Sequence, residues 1–159
     1  WCMSVLRRGG GERGASIVEL ALISPIMVLL VFGVLDLGRA YRMNIQLENA
    51  AREGAAFAQV FPNNVSCGAD PDIEDRVVAE EPGLASAPDF EIEVLGQDDT
   101  DAFVPMSGCS GTTASPGERV RVEVRARYDI MTPLVANAVG RSLELTGHAE
   151  VRVQGQVQP

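Results

Sequence analysis

The sequence predicts an α+β protein: a long N-terminal transmembrane helix that continues as a stalk, followed by a small extracytoplasmic domain with about three antiparallel strands. Three observations carry this. The stretch IVELALISPIMVLLVFGVL, Ile17 to Leu35, holds Glu19 as its one charge, and its nineteen residues approach the roughly twenty that a helix needs to cross hydrocarbon. Apolar and small residues then recur at helical spacing. Farther on, apolar and charged residues alternate with a period of two, as in half-buried strands. The expected division is a basic leader over 1–14, a membrane helix over 15–37, a stalk over 38–61 and a domain over 62–159.

The leader carries Arg7, Arg8 and Arg13 around a run of glycines. A cleavable secretory signal would have a shorter apolar stretch, about 7 to 15 residues, ending in small residues; here the apolar run is longer and leads straight into further helix, so it reads as an anchor. Pro25 lies inside the span. It removes one backbone donor and is expected to kink the helix, a defect that membrane helices tolerate when neighbouring groups compensate. Past the span, Met43, Leu47, Ala50, Gly54 and Phe57 form a stripe of mostly small residues. Small residues permit close approach, either to another helix or to the chain's own domain.

The rear of the chain is loop-rich. A short helix is expected around Asp72 to Glu80, a strand in FEIEVLG from Phe90, a clearer strand from Glu118 to Tyr128, a short helix after Pro133 and a last strand from Leu143 to Val153. In the Glu118–Tyr128 strand Val120, Val122, Val124, Ala126 and Tyr128 share one face, and Arg119, Arg121, Glu123, Arg125 and Arg127 the other, so one face is core and the other faces solvent. Cys67 and Cys109 sit in Gly-, Ser- and Asp-rich loops. They read as a structural disulfide, which requires an oxidising compartment, with two surface thiols as the alternative; a bond closing so long a loop would add on the order of 3–4 kcal/mol.

Charge excludes one class of partner. The net charge is −9, and between Pro62 and Gly117 Arg76 is the single base among twelve acids, which argues against nucleic acid. Catalytic chemistry has little to build on. His148 is the one histidine and reads as structural or surface-exposed, so a zinc site or a Ser-His-Asp triad is hard to assemble. Asp98, Asp99 and Asp101 could offer oxygen ligands to a cation, but without the spacing and closing Glu of an EF-hand they read as a solvated loop. The expectation is a non-enzymatic protein without cofactor or metal.

Glu19 is the exception that asks for a role. A charged carboxylate in hydrocarbon costs about 2.5–3.5 kcal/mol even on lenient insertion scales, so it needs either a partner or a place close enough to the interface to reach water. Glu19 is the fifth residue after Gly14, with basic residues before it and apolar sequence after it. This arrangement resembles the prepilin peptidase site of type IV pilins and pseudopilins. The resemblance implies cleavage after Gly14, a new N-terminus at Ala15, retention of the apolar helix, and pairing of Glu19 with the terminal ammonium of a subunit.

The longer segment GASIVELALISPIMVLLVFGVLDLGRAY resembles the N-terminal signature of TadE/TadG-like proteins of the tight-adherence (Tad/Flp) pilus system: a small residue, an acid, an apolar helix with an early proline and a GRAY exit. The likeness covers Arg13 to about Ala58. Leu20 departs from it, because pseudopilins of this system usually carry an aromatic residue directly after the acid, and an uncleaved anchor is the alternative. The resemblance implies a pilus assembly protein or minor pseudopilin of the bacterial inner membrane. Its partners would be the prepilin peptidase, other pilin, pseudopilin or TadE/TadG-like subunits, the assembly platform and the lipid bilayer.

Arginines flank the span equally on both sides, so orientation rests on the short leader staying in the cytoplasm while the longer, cysteine-bearing part crosses to the periplasm. A membrane-anchored periplasmic binding module, its acidic loop taking a cation, is the alternative function.

Overall fold

The computed structural model describes residues 11–63, 65, 72–98, 100–106 and 114–154. One helix, α1 (Gly11–Ala58), runs for 48 residues, about 72 Å at 1.5 Å per residue. It is followed by α2 (Ile73–Glu80), a short 3-10 turn (Leu84–Ser86), β1 (Glu91–Gln97), β2 (Phe103–Pro105), β3 (Arg119–Asp129), α3 (Pro133–Val139) and β4 (Ser142–Arg152). The fold is α+β as expected. Cys67, Asp99 and Cys109 lie outside the described residues, and so does the expected disulfide.

The four strands form one antiparallel sheet in the order β2-β1-β3-β4. About three strands were expected; β2 is the additional one. It has only three residues, too few for an alternating pattern to register, and it forms by folding back on β1 with Gly96 opposite Val104. The long central strand β3 pairs over its whole length with β4, from Arg119 opposite Arg152 to Asp129 opposite Ser142.

The expected two-faced strand is present. Val120, Val122 and Val124 are completely buried and Ala126 nearly so. They meet Leu47, Ala50, Ala51, Ala55 and Ala58 from the last third of α1, together with Ile73, Val77 and Leu84. The small-residue stripe of the helix is therefore spent on the chain's own sheet. Two glycines let the layers touch: a Cβ on Gly54 would stand 2.5 Å from Val77, and one on Gly147 in β4 would stand 2.4 Å from the carbonyl carbon of Leu47. At Gly147 the strand lies directly on helix backbone.

On the opposite face of the sheet, expected to meet solvent, the arginines pair with carboxylates: Arg121 with Glu150 and Glu123, Arg125 with Glu93 and Glu123, and Arg127 with Asp89 and Asp129. Register supplies Glu150, directly opposite Arg121 on β4, and Glu93 on the neighbouring β1, while Glu123 and Asp129 lie on β3 itself, two residues from the arginines they pair with. Pairs as exposed as these each contribute about 0–1 kcal/mol, so their larger effect is to fix register.

α2 begins with a reciprocal cap. The Asp72 carboxylate accepts the Asp75 N–H at 2.7 Å, and the Asp75 carboxylate accepts the Asp72 N–H at 3.4 Å. This satisfies donors that the first turn of a helix leaves free.

Candidate functional site

The N-terminal part of α1 stands clear of the rest of the chain. From Gly14 to Phe32 every residue is exposed, including Ile17, Val18, Leu20, Leu22, Ile26, Leu30 and Phe32. This is the one helix among the described residues that is long and apolar enough to cross a membrane. A monomer leaves that much apolar surface uncovered only where lipid or another protein meets it.

Gly14 and Ala15 lie just inside the first turns of α1 and are exposed. Glu19 is also exposed, and among the described residues it has no hydrogen-bond or ion-pair partner within the chain. Pro25 does not interrupt the helix. Its missing N–H deprives the carbonyl of Ala21 of the usual donor four residues on, and the hydroxyl of Ser24 donates to that same carbonyl at 3.4 Å. The bond is long and therefore weak, but it places a polar hydrogen where the proline removed one.

At the other end of the apolar run lies Asp36, to which the sequence by itself assigns no role. It is 4% exposed, and among the described residues it is the one buried charged group. Its carboxylate accepts the backbone N–H of Thr132 at 3.1 Å. Arg39, one turn on, approaches it at 3.9 Å and donates to the sulfur of Met131 at 3.0 Å. The hydroxyl of Tyr128 donates to the Asp36 carbonyl at 3.4 Å. Burial pushes the Tyr128 phenol above its ordinary value; the nearby Asp36 charge pushes in the same direction and Arg39 opposes it. Asp36 thus ties the end of β3 and the start of α3 to the helix.

The tie brings α3 alongside the apolar run. Leu134 and Val135 face Leu29, Leu30, Gly33, Val34 and Leu37 across a greasy groove of about 320 Å³. Glu19 and Asp36 are seventeen residues apart, roughly 25 Å along the axis, so two acids bracket the apolar stretch. One is bare and the other is built into a joint. The signal for Asp36 in the sequence was an acid ending an apolar run, but its partner Thr132 lies 96 residues away and no local pattern connects them.

Residues 14–56 match the family of TadE-like proteins. Among curated proteins nothing matches the chain, and no solved structure matches it. The TadE-like segment covers the bare apolar helix, the Asp36 joint and most of the helix face that packs on the sheet, and it ends within the last turn of α1. The protein thus combines a TadE-like N-terminal segment with one helix fit to span a membrane and a small antiparallel sheet.

The acidic loop between β1 and β2 has a structural occupation. One oxygen of Asp98 accepts the Thr100 N–H at 2.8 Å, the Thr100 hydroxyl at 2.7 Å and the Ala102 N–H at 2.9 Å. These bonds, the Thr100 hydroxyl first, hold its carboxyl below the usual range. Asp101 accepts from the Gln97 side chain at 2.7 Å with a positive φ of 63°. Both carboxylates shape the hairpin. His148 is exposed on β4.

Proposed function

We propose that the protein is a single-pass inner-membrane subunit of a tight-adherence pilus assembly apparatus, a TadE-like assembly protein or minor pseudopilin, and that it acts by helix-to-helix contact inside the bilayer rather than by catalysis. The observation that carries this is the coincidence of the TadE-like match with a helix whose apolar stretch from Gly14 to Phe32 is exposed along its whole length. From Leu29 onward the helix meets α3 and then the sheet, so contacts with other subunits fall to residues 14–28.

Glu19 is the specific element of that surface. In lipid a lone carboxylate is costly, and an ammonium beside it removes much of the penalty for both groups. Cleavage after Gly14 by a prepilin peptidase would create such an ammonium at Ala15, in the same subunit or a neighbouring one. The leader then remains cytoplasmic and the sheet lies in the periplasm.

Mass spectrometry of protein extracted from membranes tests the processing step: an N-terminus at Ala15 supports it, and an intact leader overturns it while leaving the anchor standing. Glu19→Gln tests the contact. Normal insertion with loss of pilus biogenesis supports a charge partner in the membrane, and unchanged piliation counts against one.

A further inference from the structure

The placement of α3 carries a consequence that the helix alone does not, and it rests on α1 spanning the bilayer. The apolar run Ile17–Leu35 is about 28 Å long, against a hydrocarbon thickness of about 30 Å. Nearly all of it is needed to cross, so Leu30 to Leu37 must occupy the leaflet on the Asp36 side. Leu134 and Val135 are fixed beside those residues. Holding α3 in water would confine the span to Ile17–Leu29, about 20 Å, too short for the hydrocarbon.

The side chains and backbone of this corner suit such a position. Met131 is 69% exposed and Leu134 60%, and Leu134 lies beside the exposed Val34 and Leu37 of α1. Backbone polar groups near lipid must find partners within the protein, and four N–H groups of this corner have one. The Thr132 N–H is taken by Asp36, the Ile130 N–H by the Arg141 carbonyl, and the Ala136 and Gly140 N–H groups by the Thr132 and Ala136 carbonyls. Pro133 has no N–H to satisfy.

We infer that the corner from Ile130 to Val139 is a second membrane-contacting element, seated in the headgroup and upper acyl region of the leaflet beside α1, with Met131 and Leu134 as its lipid-facing residues. The occupant of the apolar surface formed by α3 and Leu30–Leu37 is lipid. Asp36 is buried because it receives the backbone of an interfacial loop, and the sheet is held against the bilayer by two attachments instead of one.

The test places an environment-sensitive fluorescent amino acid, by nonsense suppression, at Leu22, Leu134 or Thr100 of the full chain. Each protein is reconstituted one copy per nanodisc, with lipid brominated near the carbonyl end of its chains or left unbrominated. The expected result is loss of emission to bromine at positions 22 and 134 and none at 100. Quenching at 22 without quenching at 134 overturns the inference and leaves the span intact. A blue-shifted but unquenched probe at 134 also overturns it, since protein rather than lipid then covers the site. Absence of quenching at 22 removes the span itself and the inference with it. A probe at Met131 gives the same reading should the change at Leu134 disturb folding.

Discussion

Replacing Gly147 by alanine puts one methyl group into the contact between β4 and the backbone of α1. The added carbon would stand 2.4 Å from the Leu47 carbonyl carbon, 2.5 Å from the Glu48 nitrogen and 2.6 Å from the Leu47 oxygen. All three are main-chain atoms, so no rotamer change relieves the overlap and the helix and sheet must separate. Overpacking costs about 1–3 kcal/mol, and a clash with backbone belongs at the upper end. Alanine recovers roughly 0.5–1 kcal/mol over glycine within a strand, leaving a net loss of about 2 kcal/mol.

With a urea slope of about 2 kcal/mol/M, the unfolding midpoint of the sheet should fall by about 1 M. Pulse proteolysis of detergent-solubilised protein across a urea series reads it directly, because the sheet becomes cleavable when it opens. Gly83→Ala is the control. Its Cβ meets nothing within 4 Å and its backbone is helical, with φ −66° and ψ −26°, so alanine there should be neutral or stabilising by about 0.4–1 kcal/mol. A Gly147→Ala midpoint at or above that of the parent would refute the direct seating of the strand on helix backbone.

Three further outcomes follow from the same contacts. Asp36→Ala leaves the half-buried Thr132 N–H without an acceptor and should cost about 1 kcal/mol or somewhat more, with faster hydrogen exchange around Thr132; Asp36→Asn keeps an acceptor oxygen and should recover much of the loss. Because the Tyr128 phenol is raised above its ordinary value near 10, its contribution is fully present below that pH and is lost as pH rises through the raised value. Alkaline titration followed by phenolate absorbance and by sheet unfolding checks this, and Tyr128→Phe should flatten the alkaline limb. The Asp98 carboxyl is lowered, so its contribution is present above the ordinary carboxylate range and is lost as pH falls below it. Asp98→Ala should open the β1–β2 hairpin at neutral pH, seen as faster exchange at Thr100 and Ala102.

What the sequence revealed and what it hid divide by range of interaction. The membrane helix and the two faces of β3 are periodic features, and each was legible residue by residue. The stripe from Met43 to Phe57 was visible as a surface for close contact, but whether it met another helix or its own sheet depended on Gly147, some hundred residues on. On the arginine face the partners within β3, Glu123 and Asp129, were in plain view, but Glu93 and Glu150 come from neighbouring strands and follow from register. β2 was too short to show a period. Asp36 gave no sign of its role, because that role depends on a backbone donor at Thr132, and a donor present at nearly every residue leaves no mark in a sequence. At the candidate site, Glu19 stood out through its cost in lipid, whereas the apposition of α3 on the same helix could not be seen before the chain was folded.

Alkaline carbonate extraction of bacterial membranes carrying the full chain tests the central claim most directly. Carbonate strips peripheral proteins and leaves those held by a helix through the hydrocarbon. The account expects the whole population to remain with the sedimented bilayer, and Leu22→Arg with Ile26→Arg together to release it. Recovery of the unaltered chain in the supernatant would contradict the claim that the bare half of α1 lies in lipid.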